Sequence, residues 1–269
     1  MTCENIYVFY EMHSDLLPAL TITQLLPTLQ KIGVTTLAIE EPSDETEDDI
    51  LNVYNRQLNH IKKHPIKTFK DRAVKGAIEG LGLYIDGIGK LTMESAKQLP
   101  NEEKQAIVHY IQSQQSKMFN SVEKQVELIK TASALGMEYL GCDISRNTPR
   151  IPAEHMELRD NHMFKQLSDQ CNDKSGDIVF LVGVGHYGVA NFFIGSNVTV
   201  KEYYIASEKV AFLTEEEPED YCIRQDSKHP LCESVDFHGK VLDVIVNPNL
   251  NPFDIISQDL AGEDTVEEL

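Results

Sequence analysis

The chain has 269 residues, 41% hydrophobic and 25% charged, a composition that suits a folded protein with a sizeable core. Its 24 Lys and Arg against 43 Asp and Glu leave a formal net charge of -19, a field that repels phosphate backbones, so nucleic acid is not an expected partner. No apolar run approaches the roughly 18 to 20 residues that cross a bilayer, and no transmembrane segment is expected.

The N-terminus, MTCENIYVFYEMH, has neither a basic start nor a small-residue cleavage site. The expectation is therefore a mature chain starting at Met1 in a reducing, cytoplasmic compartment. Cys3, Cys142, Cys171, Cys222 and Cys232 are odd in number, widely spread and without a C-x-x-C pair, which predicts free thiols. Cys222 and Cys232 with His229 between them are too sparse a set to imply zinc.

In chain order, the first element is the run IYVFY (6–10), nearly continuous in apolar residues as a strand buried on both faces requires. It runs straight into Glu11, His13 and Asp15, which share one face if the chain stays extended, because side chains alternate with period two. LLPALTITQLLPTLQKIG follows as a helix, stopped by Gly33. The second strand, TTLAI (35–39), leads into Glu40 and Glu41, and the same parity sends these two to opposite faces. Glu40 is the one expected in the site, with Glu41 behind it or turned toward Pro42.

From Glu41 to Met137 the pattern is helical almost throughout: a helix capped at Ser43, a segment around KTFKDRAVKGAIEGLGLYIDGIGKL, and a long helix from Asn101. Gly80, Gly82, Gly87 and Gly89 mark a break or bend in its middle. The insert covers the sheet, or serves as a lid or a surface for a protein partner.

The third strand, EYLGC (138–142), ends at Asp143, and a helix from about Pro152 follows it. On that helix His155, Arg159 and Met163 share one side, with His162 nearby. Arg159 either faces the carboxylates and holds a substrate carbonyl, phosphate or carboxylate, or pairs at the surface with Glu154 or Asp160. The fourth strand, DIVFLV (177–182), ends in Gly183-Val-Gly-His186 and Tyr187. Gly183 and Gly185 permit close approach of a ligand, and the loop offers backbone N–H groups to an anion. Beyond a short helix, VTVKEYYIA and KVAFL read as antiparallel strands and VLDVIV (241–246) as one more. TEEEPED (214–220) and AGEDTVEEL (261–269) are acidic, solvated segments.

Strand, helix, strand with crossovers of this length predicts parallel pairing. The fold class is thus α/β: a central, largely parallel sheet with a few antiparallel strands, flanked by helices, with a long helical insertion after the second strand. One domain is expected over 1–213, with the insert at about 43–136, followed by a C-terminal extension, 214–269, packed in part on the same domain. All four strand ends then fall on the carboxyl edge where open α/β sheets bind ligands. Two carboxylates and two imidazoles gathered there are costly to desolvate, and a site that gathers them generally uses them.

Four pieces, Tyr10-Glu11-Met12-His13, Glu40-Glu41, Arg159-Asp160-Asn161-His162-Met163 and Gly183-Val184-Gly185-His186, agree in order and spacing with a known pattern. Over about residues 5–190 the chain resembles the superfamily of Tiki proteases, TraB-like proteins, erythromycin esterases, ChaN-type haem-binding lipoproteins and a related domain of large bacterial toxins. The resemblance implies that His13, Glu40 or Glu41, and His186 are catalytic or metal-binding and that Arg159 assists. Tyr10 departs from the pattern, standing where the family usually has glycine.

Together these readings predict a hydrolase acting on a peptide, ester or related bond. Glu11, His13, Glu40, Glu41, Arg159 and His186 are its catalytic candidates, and Tyr10, Asp143, His162, Gly183, Gly185 and Tyr187 its substrate-binding ones. A divalent Mn, Co or Zn ion on His13, Glu40 and His186 is expected, or a metal-free variant in which Glu and His share acid and base roles. The rival expectation is a non-catalytic ligand- or haem-binding protein on the same scaffold. An overlapping one is an effector or toxin-like module secreted into a host cell, from the Glu-rich C-terminus.

Overall fold

The computed structural model describes residues 3–11, 16–81, 84–85, 89–90, 92–148, 155–174, 176–186, 189–205, 223–224, 232–237, 240–245 and 252–263. The elements run β1 (Asn5–Glu11), α1 (Leu17–Lys31), β2 (Val34–Pro42), α2 (Glu47–Lys63), α3 (Arg72–Gly76), β3 (Tyr84–Ile85), β4 (Gly89–Lys90), α4 (Met93–Gln98), α5 (Asn101–Ala134) and β5 (Glu138–Asp143). They continue as α6 (His155–Asp173), β6 (Asp177–Gly183), β7 (Thr199–Ile205), β8 (Ile223–Arg224), β9 (Cys232–Phe237), β10 (Lys240–Ile245) and α7 (Pro252–Glu263).

The sheet order is β5-β2-β6-β1-β7-β10-β9-β8. Strands β5, β2, β6, β1 and β7 are parallel, as their helical crossovers require, and β10 lies parallel beside β7. At the far edge β9 pairs antiparallel with both β10 and β8. The run KVAFL, expected to pair antiparallel with β7, lies outside the described residues.

Alternation divides β1 and β6 between two cores. Tyr7, Phe9, Val179 and Leu181 join the layer of α1, α2, α5 and α7, where Ile22, Leu25, Leu26 and Leu29 of α1 recur at helical spacing with no exposure. Ile6, Val8, Tyr10, Phe180 and Val182 face α6 through Met163 and Leu167. Burying each such Leu or Ile contributes about 1.5–3 kcal/mol, so α1 is held by its apolar stripe rather than by its ends. Gly33, at φ 104, supplies the left-handed turn from α1 into β2.

The insert departs from the sequence reading in two places. Helix α2 is capped by Thr46, not Ser43: the Thr46 hydroxyl accepts the Asp49 N–H at 3.3 Å and the Asp49 carboxylate accepts the Thr46 N–H at 3.0 Å, a reciprocal box. The glycine-rich middle breaks the helical run as expected, but what fills the break is not helix: α3 runs into a π-helical turn, Ala77–Leu81, and then the antiparallel pair β3–β4. Ile66, Val74, Ile78, Ala96, Ile107 and Ile111 give this region an apolar cluster of its own.

The expectation of free thiols is also corrected. Cys3 and Cys171, 168 residues apart, are joined by a disulfide, because the start of β1 and the last turn of α6 meet on one side of the sheet with their Cα atoms 4.9 Å apart. Cys142 is a buried free thiol; Cys222 and His229 lie outside the described residues.

Candidate functional site

The connections that leave β2 and β6 diverge. After β2 the chain moves outward to β5, whereas after β6 it crosses back over β1 to β7. Adjacent parallel strands with diverging connections open a crevice at their carboxyl ends. Glu40 stands at the end of one and Gly183 at the end of the other.

A β-bulge aims the carboxylates. β2 pairs with β5 as far as Ile39 opposite Gly141 and resumes with Pro42 opposite Asp143, so Glu40 and Glu41 together stand against Cys142 alone. Gly141 makes this fit possible: a Cβ there would lie 2.4 Å from the Pro42 carbonyl oxygen and 2.9 Å from that of Glu41.

On the α6 side, Glu40 gathers three donors from among the described residues. Its Oε2 accepts the Gly183 backbone N–H at 2.6 Å, its Oε1 lies 3.1 Å from His186 Nε2, and Oε1 is also bonded to Arg159 Nη2. Arg159 straddles two carboxylates, with Nε 2.9 Å from Asp143 Oδ1 and Nη2 2.6 Å from Asp143 Oδ2. The 3-10 turn Val184–His186 folds His186 back over the crevice, where Nδ1 meets Asp160 Oδ1 at 2.5 Å. His162, one turn further along α6, bonds through Nε2 to the Ser43 hydroxyl at 2.8 Å.

Burial works to lower the pKa of His186, whose side chain is 3% exposed, but its bonds to Asp160 and Glu40 and the Glu40 charge outweigh that and raise it to about 9. At neutral pH the ring is an imidazolium held between two carboxylates.

The opposite face carries a second group. Glu41 Oε1 accepts from the Tyr54 hydroxyl at 2.7 Å, and Oε2 accepts from Arg146 at 2.5 Å; burial nevertheless lifts its carboxyl above the usual range. Glu11 is 4% exposed and accepts from Gln125 of α5 at 3.2 Å. A cavity of about 20 Å³ touches Glu11, Tyr54 and Gln125, room for a single water.

The candidates therefore divide. Glu40, Asp143, Arg159, Gly183 and His186 come together, with His162 beside them. Glu11 and Glu41 lie across the sheet, because Tyr10 and Glu40 occupy the α6 side of their strands. Tyr10 is fully buried with its hydroxyl 2.5 Å from Glu202 Oε1 of β7, and Gly185 is exposed at the end of the crevice near Met156. His13 and Tyr187 lie outside the described residues. Sequence reasoning weighed Asp160 only as a surface partner of Arg159; its role beside His186 depends on where the turn after β6 lands, which no local signal encodes.

The metal expectation rests on His13, Glu40 and His186. As arranged, Glu40 and His186 do not fit a divalent ion: both ring nitrogens face carboxylates, and the Arg159 guanidinium occupies the place beside Glu40 where a cation would sit. Among the described residues, no three His, Cys, Asp or Glu side chains are placed to share an ion.

The fold and crevice define an open α/β protein with a polar site at the carboxyl edge of its sheet. No family model matches the sequence, and no curated protein matches it. Among solved structures, the chain is similar to the type III effector HopBA1, at 14% identity and a TM-score of 0.39, over 90% of this chain and 86% of that one. It is also similar to a protein from Bacillus cereus, at 11% identity and a TM-score of 0.30, over 76% of this chain and 66% of that one.

Proposed function

We propose that this chain is a hydrolase of ester or peptide bonds in which Glu40 and His186 share the proton transfers without a metal ion. The observation that carries the reading is the hydrogen-bonded series Asp160, His186, Glu40, with contacts of 2.5 and 3.1 Å, set in a topological crevice. Asp160 fixes the ring and its charged state, as the orienting carboxylate of an acid–base pair does. Glu40 would take a proton from water as that water attacks the substrate carbonyl carbon. His186 would give its Nε2 proton to the leaving oxygen or nitrogen. The proton on Glu40 then passes to His186 across their shared contact, which resets both groups.

Arg159 suits the substrate carbonyl. Its Nε and Nη2 are bonded to Asp143 and Glu40, whereas Nη1 has no protein hydrogen bond among the described residues and keeps its donors for an oxyanion. A second reading, a protein that binds a ligand here without turning it over, is favoured by the low exposure of the Glu40 side chain, 9%. A haem-binding version would require His186 to give up a carboxylate from one ring nitrogen. The effector reading rests on the composition of the acidic C-terminal segment.

The test is hydrolysis of a graded series of p-nitrophenyl acyl esters and a fluorogenic peptide set by the wild-type chain and by Glu40→Gln and His186→Gln. Each variant should lose about 10²-fold or more of turnover, the usual range for a proton-transfer group. Wild-type rates in either variant, with the fold intact by circular dichroism, would sink the assignment.

A further inference from the structure

The middle of the helical insert carries net charge opposite in sign to that of the whole chain. Residues 61–108 hold nine Lys and Arg against six Asp and Glu, in a protein whose net charge is -19. Five of these lysines, Lys67, Lys70, Lys75, Lys97 and Lys104, line one groove of about 980 Å³, and among the described residues no acidic side chain is part of its lining. Of the nearby acids, Asp71 accepts the backbone N–H groups of Lys67 and Thr68 at 2.6 and 2.8 Å and Glu79 lies 3.9 Å from Lys75, while Glu94, Glu102 and Glu103 are exposed on α4 and the start of α5 outside the lining.

The groove is not only cationic. Phe69, Met93 and Val108 contribute apolar surface to it, and the Lys104 ammonium lies over the Phe69 ring at 5.9 Å. The pocket is formed by the segment before α3 and by α3, α4 and the start of α5, around the insert's own apolar cluster. Lysines round an apolar floor provide two kinds of recognition at once, charge and side-chain burial.

We infer that this groove is the docking site for an acidic peptide segment of a partner protein, one that alternates carboxylates with apolar side chains. Charge complementarity selects the occupant. A polyanionic surface as broad as a membrane or a nucleic acid duplex would meet the repulsive field of the whole chain, whereas a short segment meets only the lysine-lined groove. The concave floor further favours a segment with side chains to bury.

The full-length chain is titrated into a fluorescein-labelled peptide of about 12 residues built from Glu-Glu-Leu-Phe repeats, followed by anisotropy. Binding should be saturable and should weaken about tenfold or more between about 50 and about 300 mM NaCl. The double variant Lys70→Glu/Lys97→Glu changes two exposed side chains, so its fold is kept; it should lose about tenfold or more in affinity. A matched peptide with Gln for Glu, and another with Ser for Leu and Phe, should each bind more weakly than the parent.

Several results would overturn the inference: no saturable binding up to about 100 μM, undiminished affinity in the double variant, or equal affinity for the peptide lacking apolar residues, which marks simple ion exchange. So would co-sedimentation with phosphatidylserine vesicles in the absence of peptide binding, or a concentration-dependent dimer abolished by the double variant. These last two assign the groove to a membrane or to a second copy.

Discussion

Glu40 and Gly183 are bonded side chain to backbone: the Glu40 carboxylate accepts the Gly183 N–H at 2.6 Å, just beyond the last paired residues of β2 and β6, Ile39 and Leu181. The crevice is thus closed at its base by an acid that also receives Arg159 and His186. Removing that acid would leave the Gly183 amide without its acceptor and would take one of two carboxylates from the Arg159 guanidinium and from the His186 imidazolium. Glu40→Ala should cost about 2–4 kcal/mol in urea unfolding, and Glu40→Gln, which keeps one oxygen, about half of that. Equal losses for the two variants would show that side-chain volume, not acceptance, is what Glu40 supplies.

His186 makes stability depend on pH in the alkaline direction. Its folded pKa of about 9 exceeds the value near 6.5 of an unfolded histidine, so the folded state binds the proton more tightly. The stabilisation is fully present below about pH 6.5 and is lost as pH rises through about 9; from that difference it amounts to about 3 kcal/mol. Urea midpoints measured between these limits should fall steadily in the wild type and change much less in His186→Gln. A variant with the wild-type pH profile would place the titrating group elsewhere.

The bulge at Glu40 and Glu41 depends on the absence of a side chain at Gly141. A methyl group there would lie 2.4 Å from the Pro42 carbonyl oxygen, which is backbone and has little freedom to move. Gly141→Ala should destabilise by about 2–3 kcal/mol, as overpacking does, and displace both glutamates. Gly136→Ala is the comparison: its Cβ would meet open space and only its φ of 75° resists, a cost of about 1–2 kcal/mol. If thermal unfolding ranks the two in the reverse order, steric pressure on the bulge is not what Gly141 relieves.

The four strand ends were legible because strands buried on both faces read as short continuous apolar runs, and helical crossovers between such strands force them parallel. Parity separated Glu40 from Glu41 for the same reason, since alternation is a local property. What was not legible depends on partners distant in sequence. The bulge exists only in register with β5; Asp160 reaches His186 only because the turn after β6 folds over α6; Cys3 meets Cys171 only across the α6 packing. Strands β8 and β9 were missed because their runs are short and polar, with little apolar signal. The Thr46 cap was readable in principle, as Thr46 stands three residues before Asp49, but Ser43 offered a similar start and its hydroxyl turns out to serve His162 instead.

Tyr10, the residue at which the sequence departs from the pattern it resembles, is built into the fold. It has no solvent exposure, and its hydroxyl donates to Glu202 Oε1 at 2.5 Å, joining β1 to β7 by side chains where their backbones already pair at Tyr10 and Tyr204. Burial above all, and then the Glu202 charge, push the phenol well above its ordinary pKa, so it stays a neutral donor across the working pH range. Tyr10→Phe removes this bond without emptying the site and should cost about 1.5–3 kcal/mol, the range for a hydrogen bond to a charged group. Glu202→Gln keeps an acceptor but not the charge, so it should cost less, and the double variant should cost less than the two single losses added together, because both remove one shared interaction. Strict additivity in that cycle, read from urea unfolding, would show that the two side chains stabilise the sheet independently and that the contact itself contributes nothing.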